Sequence, residues 1–229
     1  MDFIAPSGCN PDADEVIAYL QTVEEKFRAG ISRELHDEMG GLLVAAAMDV
    51  GFAEQALAKD DRLRQQLSRA RTALAAAIDL KRKLIETLRP TMLDNFGLFE
   101  AMRWAVKQES GLAGLPCIDS YPDPEPKFTK DASIALFRIV QQALLVALRQ
   151  PSVSAASVTL DIEGDTLRIG VSHNGQSATP APSPEDALAL CSIAHRAHAL
   201  GGRMNVHVNA AGSGALYAAD LPLARLISC

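Results

Sequence analysis

The chain has 229 residues, of which 48% are hydrophobic, 22% charged and 5% aromatic. With 12 Pro and 15 Gly it is neither collagen-like nor wholly disordered, and its length suits one large domain or two small ones. A net charge of -6 provides no global attraction to nucleic acid or to an anionic membrane, so neither partner is expected. Cys9, Cys117, Cys191 and Cys229 are scattered, without a C-x-x-C pair or a His at zinc spacing, which argues against a metal centre or a disulfide framework. Residues 1–11 lack the basic start and apolar run of a signal peptide, and no stretch reaches the roughly 18 uninterrupted apolar residues of a membrane span. A soluble, cytoplasmic chain with no membrane span is expected.

After an N-terminal tail over residues 1–11, residues 12–59 contain no Pro and repeat apolar residues at steps of three and four. Val16, Leu20, Val23, Phe27, Ile31, Leu35, Met39 and Leu42 trace one helical face. Asp60-Asp61 breaks the pattern and caps a second helix, whose seam is Leu63, Leu67, Ala70, Leu74, Ala77, Leu84 and Leu88. Lys81 is the polar interruption of that seam, and Pro90 ends the helix. A lone helical hairpin cannot cover both apolar faces, so a homodimeric four-helix bundle is the economical arrangement. A third helix over residues 98–111 carries Trp104. The Pro-rich run that follows, from Leu115-Pro116 to Pro126, is the expected boundary between a helical domain over 12–113 and a second domain over 114–229.

The second half reads as α+β. An apolar helix over 131–149 precedes alternating β-branched segments over 156–162 and 166–172, which flank the hairpin signal Gly164-Asp165. A polar loop over 176–184, a helix over 184–200 stopped by Gly201-Gly202, and strands over 203–209 and 215–221 complete the pattern. This order predicts a mixed sheet with helices on one face.

Within the first helix, Arg33-Glu-Leu-His36-Asp37-Glu-Met39-Gly40-Gly41-Leu42 places a His and a carboxylate on a polar face. His36 can attack phosphorus through Nε2 while Asp37 takes the Nδ1 proton. The same dipeptide without further context is ordinary solvated surface.

The context is a series of motifs in order: Arg33–Gly40, Leu88-Arg89-Pro90-x-x-Leu93-Asp94-x-x-Gly97-Leu98, Leu136-Phe-Arg-Ile-Val-Gln-Gln142-Ala-Leu144, Ala199-Leu-Gly-Gly202 and Ala219-Asp-Leu-Pro-Leu223. Together they resemble the core of two-component sensor histidine kinases, in the subfamily with His-Asp at the phosphoacceptor site. The resemblance covers nearly everything from residue 25 to residue 223. It implies a dimerising phosphoacceptor hairpin followed by an ATPase-like α/β sandwich, with His36 and Asp37 as catalytic residues. It also implies a docking surface for a response-regulator receiver around Arg33, Met39, Gly40, Leu42, Leu43 and Leu84.

The departures from that family are specific. The family's magnesium-binding Asn falls on Val146 and an acidic residue of the same box on Gln142. The adenine-binding Asp falls on His173, within His173-Asn174-Gly175-Gln176-Ser177, and a later glycine box falls on Ala189 and Ser192. Arg149, Asn174, Gly175, Gly212 and Gly214 remain as candidates for nucleotide contact. The position of the family's dephosphorylating Gln, five residues after His36, is Gly41. These departures predict a degenerate ATP domain with no cofactor of its own, magnesium being supplied at the partner receiver. The expected function is a histidine phosphotransferase that moves phosphate between receiver aspartates through His36, fed by an upstream hybrid or sensor kinase. The alternatives are an active histidine kinase autophosphorylating His36 from ATP, and a non-enzymatic dimeric adaptor. His195 and His198 share a helix face without a third ligand and read as surface residues, as does His207.

Overall fold

A computed structural model describes residues 3–4, 11–56, 61–88, 90–176, 182–209 and 213–228. The expected capping residue Asp60, Arg89, Gly212, Cys9, Cys229, Ser177 and most of the N-terminal tail lie outside the described residues. The chain divides into two compact units, Leu20–Thr91 and a second built from Met92–Cys229 together with Met1–Tyr19.

The helical unit draws on α1 (Pro11–Glu34), a π-helical turn (Leu35–Met39), α2 (Gly40–Ala56) and α3 (Asp61–Leu88). The single helix expected over 12–59 is therefore interrupted by a widened turn that carries His36 and Asp37. Gly40 and Gly41 follow that turn directly, and each weakens a regular helix by roughly 1 kcal/mol relative to Ala. The π turn and α2 pack along α3. Although its sequence, GGLLVAAAMDVGFAEQA, is apolar almost all round, α2 has no buried residue. Leu42, Met48 and Phe52 are 72%, 61% and 69% exposed. A helix of that composition is normally enclosed on every side.

The second unit is a six-stranded sheet in the order β1-β5-β6-β4-β3-β2. Its strands are β1 (Phe3–Ile4), β2 (Cys117–Ser120), β3 (Ala156–Glu163), β4 (Thr166–Gln176), β5 (Arg203–Val208) and β6 (Ser213–Pro222). β2 runs parallel to β3, while the other neighbours are antiparallel. Strands β1 and β2 were absent from the sequence expectation because both are too short to show alternation. The β3–β4 hairpin turns at Gly164, whose φ of 59° suits glycine.

Alternation sorts the two faces of the sheet. Ala156, Val158, Leu160, Leu167, Ile169, Val171 and Leu221 are buried. The opposite face is polar: Ser157 and Ser172 share a 2.7 Å hydroxyl hydrogen bond, and Arg168 pairs with Asp220 at 2.9 Å and with Glu163 at 3.1 Å. The core helix α6 (Lys130–Leu148) packs on β3 and β4, between α5 (Leu98–Ala113), reached through the short α4 (Thr91–Phe96), and α7 (Pro184–Ala199). Thr129 Oγ1 caps α6 by accepting from Ala132 N at 3.2 Å. By length and composition α6 could cross a membrane, but Leu136, Phe137, Ile139, Val140, Leu144, Val146 and Ala147 are buried in this core.

The division expected near residue 114 falls instead at Thr91/Met92. Leu98, Phe99, Met102 and Val106 of α5 belong to the same core as α6 and the sheet. The Pro-rich run is a strap rather than a linker. The Glu125 carboxylate accepts from Leu98 N at 2.6 Å and Phe99 N at 3.1 Å, which satisfies the first turn of α5. Tyr121 stacks on Phe99 with centroids 5.2 Å apart. Glu125→Ala, which leaves two helix-terminal N–H groups unpaired, is expected to cost about 1–2 kcal/mol and to lower the midpoint of thermal unfolding of the sheet unit. Near-ultraviolet circular dichroism on heating reads the change.

Candidate functional site

His36 and Asp37 are both exposed on the π turn. Among the described residues neither side chain forms a hydrogen bond or ion pair, so the expected Asp37–Nδ1 contact is not made in this structure. Adjacent residues on a helix point in different directions, and a π turn preserves that divergence. The His36 ring and the Asp37 carboxylate thus stand separately exposed on this turn. Arg33 is exposed, with Nε donating back to Ala29 O at 3.3 Å.

The expected docking residues fall on one short length of this unit. Met39 is 43%, Leu42 72% and Leu84 46% exposed, while Leu43 is half-buried. Gly40 faces α3: the Lys81 Nζ lies 3.0 Å from the point where a Cβ on residue 40 would stand. The sequence signal for this contact was the lysine interrupting an otherwise apolar seam; its partner across the hairpin required the fold.

The positions that the family resemblance assigns to nucleotide binding lie in the sheet unit, where Val146, Arg149, His173 and Asn174 each have a structural partner or a packing role. Val146 is 1% exposed in the core. Its carbonyl accepts from Gln150 Nε2 at 3.0 Å. Arg149 Nη2 pairs with Asp186 Oδ1 at 3.0 Å, and its Nη1 reaches Glu185 at 3.4 Å, so α7's first turn neutralises this cation. That first turn is also capped internally, Ser183 Oγ accepting from Asp186 N at 3.1 Å. Asn174 Oδ1 accepts from Ser154 N and Ala155 N at 3.0 and 2.9 Å, pinning the β3 entry loop. A Cβ on Gly175 would stand 2.8 Å from Pro151 O, and one on Gly214 2.7 Å from His173 O, so close backbone approach accounts for both glycines. The Gln142 Oε1 is buried without a hydrogen-bond partner among the described residues.

His173 is buried and stacks on Tyr217 with centroids 5.8 Å apart. Its Nδ1 accepts from Gly175 N at 3.2 Å, which places the ring proton on Nε2, 3.5 Å from Tyr217 Oη. Burial holds the imidazole pKa below its ordinary value. Burial likewise pushes the Tyr217 phenol up to about 12, with Asp186 adding to the shift. The cavity between α6 and the sheet, lined by Ile139, Ala143, Val171 and Tyr217 among others, measures only about 10 Å³. A second, open cavity of about 340 Å³ is lined by Ile118, Ala156, Ser172, His173 and Asn174 among others, at the low end of the roughly 300–1,000 Å³ usual for small-molecule sites. The surface reading of His195 is corrected: it is 9% exposed, on the inward face of α7, whereas His198 and His207 are exposed.

Residues 28–93 match the model of a histidine kinase family. The chain is 24% identical over 188 residues to the signal transduction histidine-protein kinase/phosphatase UhpB of Salmonella typhimurium, covering 82% of this chain and 37% of that protein. It is 27% identical over 186 residues to the oxygen sensor histidine kinase NreB of Staphylococcus carnosus, covering 81% of this chain and 53% of that one. The chain thus spans about a third to a half of the length of these curated relatives. Among solved structures, the histidine kinase domain of the Erythrobacter litoralis EL346 blue-light activated histidine kinase shares the fold, with a TM-score of 0.51 and 13% identity over 81% of this chain and 95% of that one. Together these matches support a histidine-kinase-type core of two-component signalling, a helical region followed by a mixed α/β sheet domain.

The His173 geometry predicts acid sensitivity. Its folded pKa is depressed, so the contribution of the neutral ring is complete above the ordinary histidine value of about 6.5 and is lost as pH falls through the folded value. Protonation would also set an N–H against Gly175 N–H. Denaturant unfolding at pH 7.5 and pH 5 is expected to show a loss of stability that His173→Phe removes.

Proposed function

We propose that this chain is a histidine phosphotransferase built on a histidine-kinase core, carrying a phosphoryl group on His36 between receiver-domain aspartates. The observation that carries this reading is the use of Val146, Arg149, His173, Asn174 and Gly175 for packing, ion pairing and loop closure within the sheet unit. Magnesium needs oxygen ligands, and the Val146 side chain supplies none; the neutral imidazole of His173 supplies no carboxylate to accept from an adenine amino group. A phosphotransferase draws its phosphate from an acyl phosphate and needs neither group.

The chemistry follows from the exposed π turn. Nε2 of His36 attacks the phosphorus of a receiver aspartyl phosphate; the N–P bond forms as the P–O bond to the aspartate breaks, and the aspartate leaves as carboxylate. The Nδ1 proton passes to Asp37, directly or through water, once docking orders that side chain. The reverse step delivers the phosphoryl group to the next receiver, whose magnesium stabilises the transferring oxygens. Met39, Leu42 and Leu84 offer the apolar contact that receiver docking requires.

We further propose a homodimer through the helical unit, in the cytoplasm. Val44, Met48 and Phe52 leave α2 uncovered in a single chain, and a second copy offers the same self-complementary face. Light scattering is expected to give twice the chain mass, and Met48→Glu combined with Phe52→Glu to give the monomer.

The kinship with proteins named as sensor kinases favours a second reading, autophosphorylation of His36 from ATP. Labelled ATP alone, a phosphorylated receiver, and calorimetry with magnesium-ATP separate the two. The expected outcome is label on His36 from the receiver, none from ATP, no nucleotide heat, and no label in His36→Ala. Label from ATP alone establishes the kinase instead. Retained receiver binding without label under either condition establishes an adaptor.

A further inference from the structure

Lys81 is half-buried at a seam position where the pattern of α3 calls for an apolar residue. Its ammonium stands 3.0 Å from the Cβ position that Gly40 leaves empty. Among the described residues it forms no ion pair or hydrogen bond. A partly buried ammonium without a protein acceptor has an anion as its natural complement. His36 lies four residues before Gly40, on the π-helical turn that Gly40 directly follows. One helical turn is about 5.4 Å, within the swing of a four-carbon side chain.

The local charge makes a cation necessary there. Glu34, Asp37 and Glu38 are all exposed around His36, and an arriving phosphoryl group meets like charge from each. Arg33 is turned back toward the carbonyl of Ala29.

We propose that Lys81 is a phosphate-contacting residue of the His36 site, and that residue 40 is glycine so that the ammonium can reach across the helix to the phosphoryl oxygens. This inference rests on the reading of His36 as a phosphoryl carrier. The glycine pair that weakens the helix thereby has one assigned purpose: Gly40 admits Lys81, whereas nothing lies within 4 Å of a Cβ on Gly41.

The test needs no partner protein. Potassium phosphoramidate phosphorylates imidazole directly: Nε2 attacks phosphorus, the donor P–N bond breaks, and ammonia leaves and takes up the ring proton. The 229-residue chain is treated with it, and the rate of His36 phosphorylation and the phosphohistidine lifetime are followed by phosphorus NMR and mass spectrometry. Lys81→Met, matched in length and suited to the apolar seam, is expected to slow phosphorylation about 10- to 100-fold, the loss of one charge-assisted contact. Lys81→Arg should stay within about threefold of the parent, since the charge is kept.

Gly40→Ala separates a chemical from a structural role. Its methyl meets only the flexible end of Lys81, so the helix should gain stability, raising the melting temperature by about 2–4 °C, while displacement of the ammonium slows phosphorylation. It also serves as the readout if Lys81→Met does not fold. Phosphorylation of His36 at the parent rate and with the parent lifetime in Gly40→Ala and in a folded Lys81→Met overturns the role of Lys81 and leaves the carrier reading standing. No phosphate on His36 in the parent chain overturns the carrier reading and this inference together.

Discussion

The packing of α6 against the sheet is the constraint on which the second unit depends. Leu136, Phe137, Val140, Leu144 and Ala147 are buried along one helix, and α5 and α7 are held on its two flanks. Truncating any of the large ones would cost about 2–5 kcal/mol by the usual cavity arithmetic, a large part of a domain's net stability. The same close packing shapes what the unit can bind. Val146 belongs to that core, and the network of Arg149, Gln150 and Asp186 ties the end of α6 to the start of α7. The polar groups of Arg149, Gln150 and Asp186 are thus directed at one another.

The helical unit follows the opposite logic. Its apolar side chains are not enclosed by the chain itself, and its reactive histidine is displayed rather than buried. The widened turn at Leu35–Met39 lies where the helix meets its glycines, and it presents His36 above an acidic rim. A docking platform needs exposed apolar area and an accessible nucleophile, and both come at the cost of a self-sufficient core. The two units thus differ: the sheet unit encloses its own apolar core, and the helical unit leaves many of its apolar side chains exposed.

Much of this was legible in the sequence. Strands β3 to β6 and helices α5 to α7 were read within a few residues, because alternation and three-to-four spacing are strong over those lengths. The order of motifs pointed to a histidine-kinase core before any coordinates. The misreadings have particular causes. Proline density suggested a linker near residue 114, but Glu125 and Tyr121 fasten that run to α5 through contacts more than twenty residues apart. His195 read as surface because it forms, with His198, a pair three apart without a third ligand, yet it lies on the inward face of α7.

The sequence alone determined the element types, the position of His36 and Asp37, and the identities Val146 and His173 at two positions buried in the sheet unit. These are properties of residue identity and local period, and they need no folding to read. Only the tertiary structure decided what fills the vacated positions, where the chain divides into units, and which residue faces Gly40. Each of these depends on pairs far apart in the chain: Asn174 with Ser154, Arg149 with Asp186, Lys81 with Gly40. Such pairs are fixed by how whole elements pack, and local spacing carries no record of them.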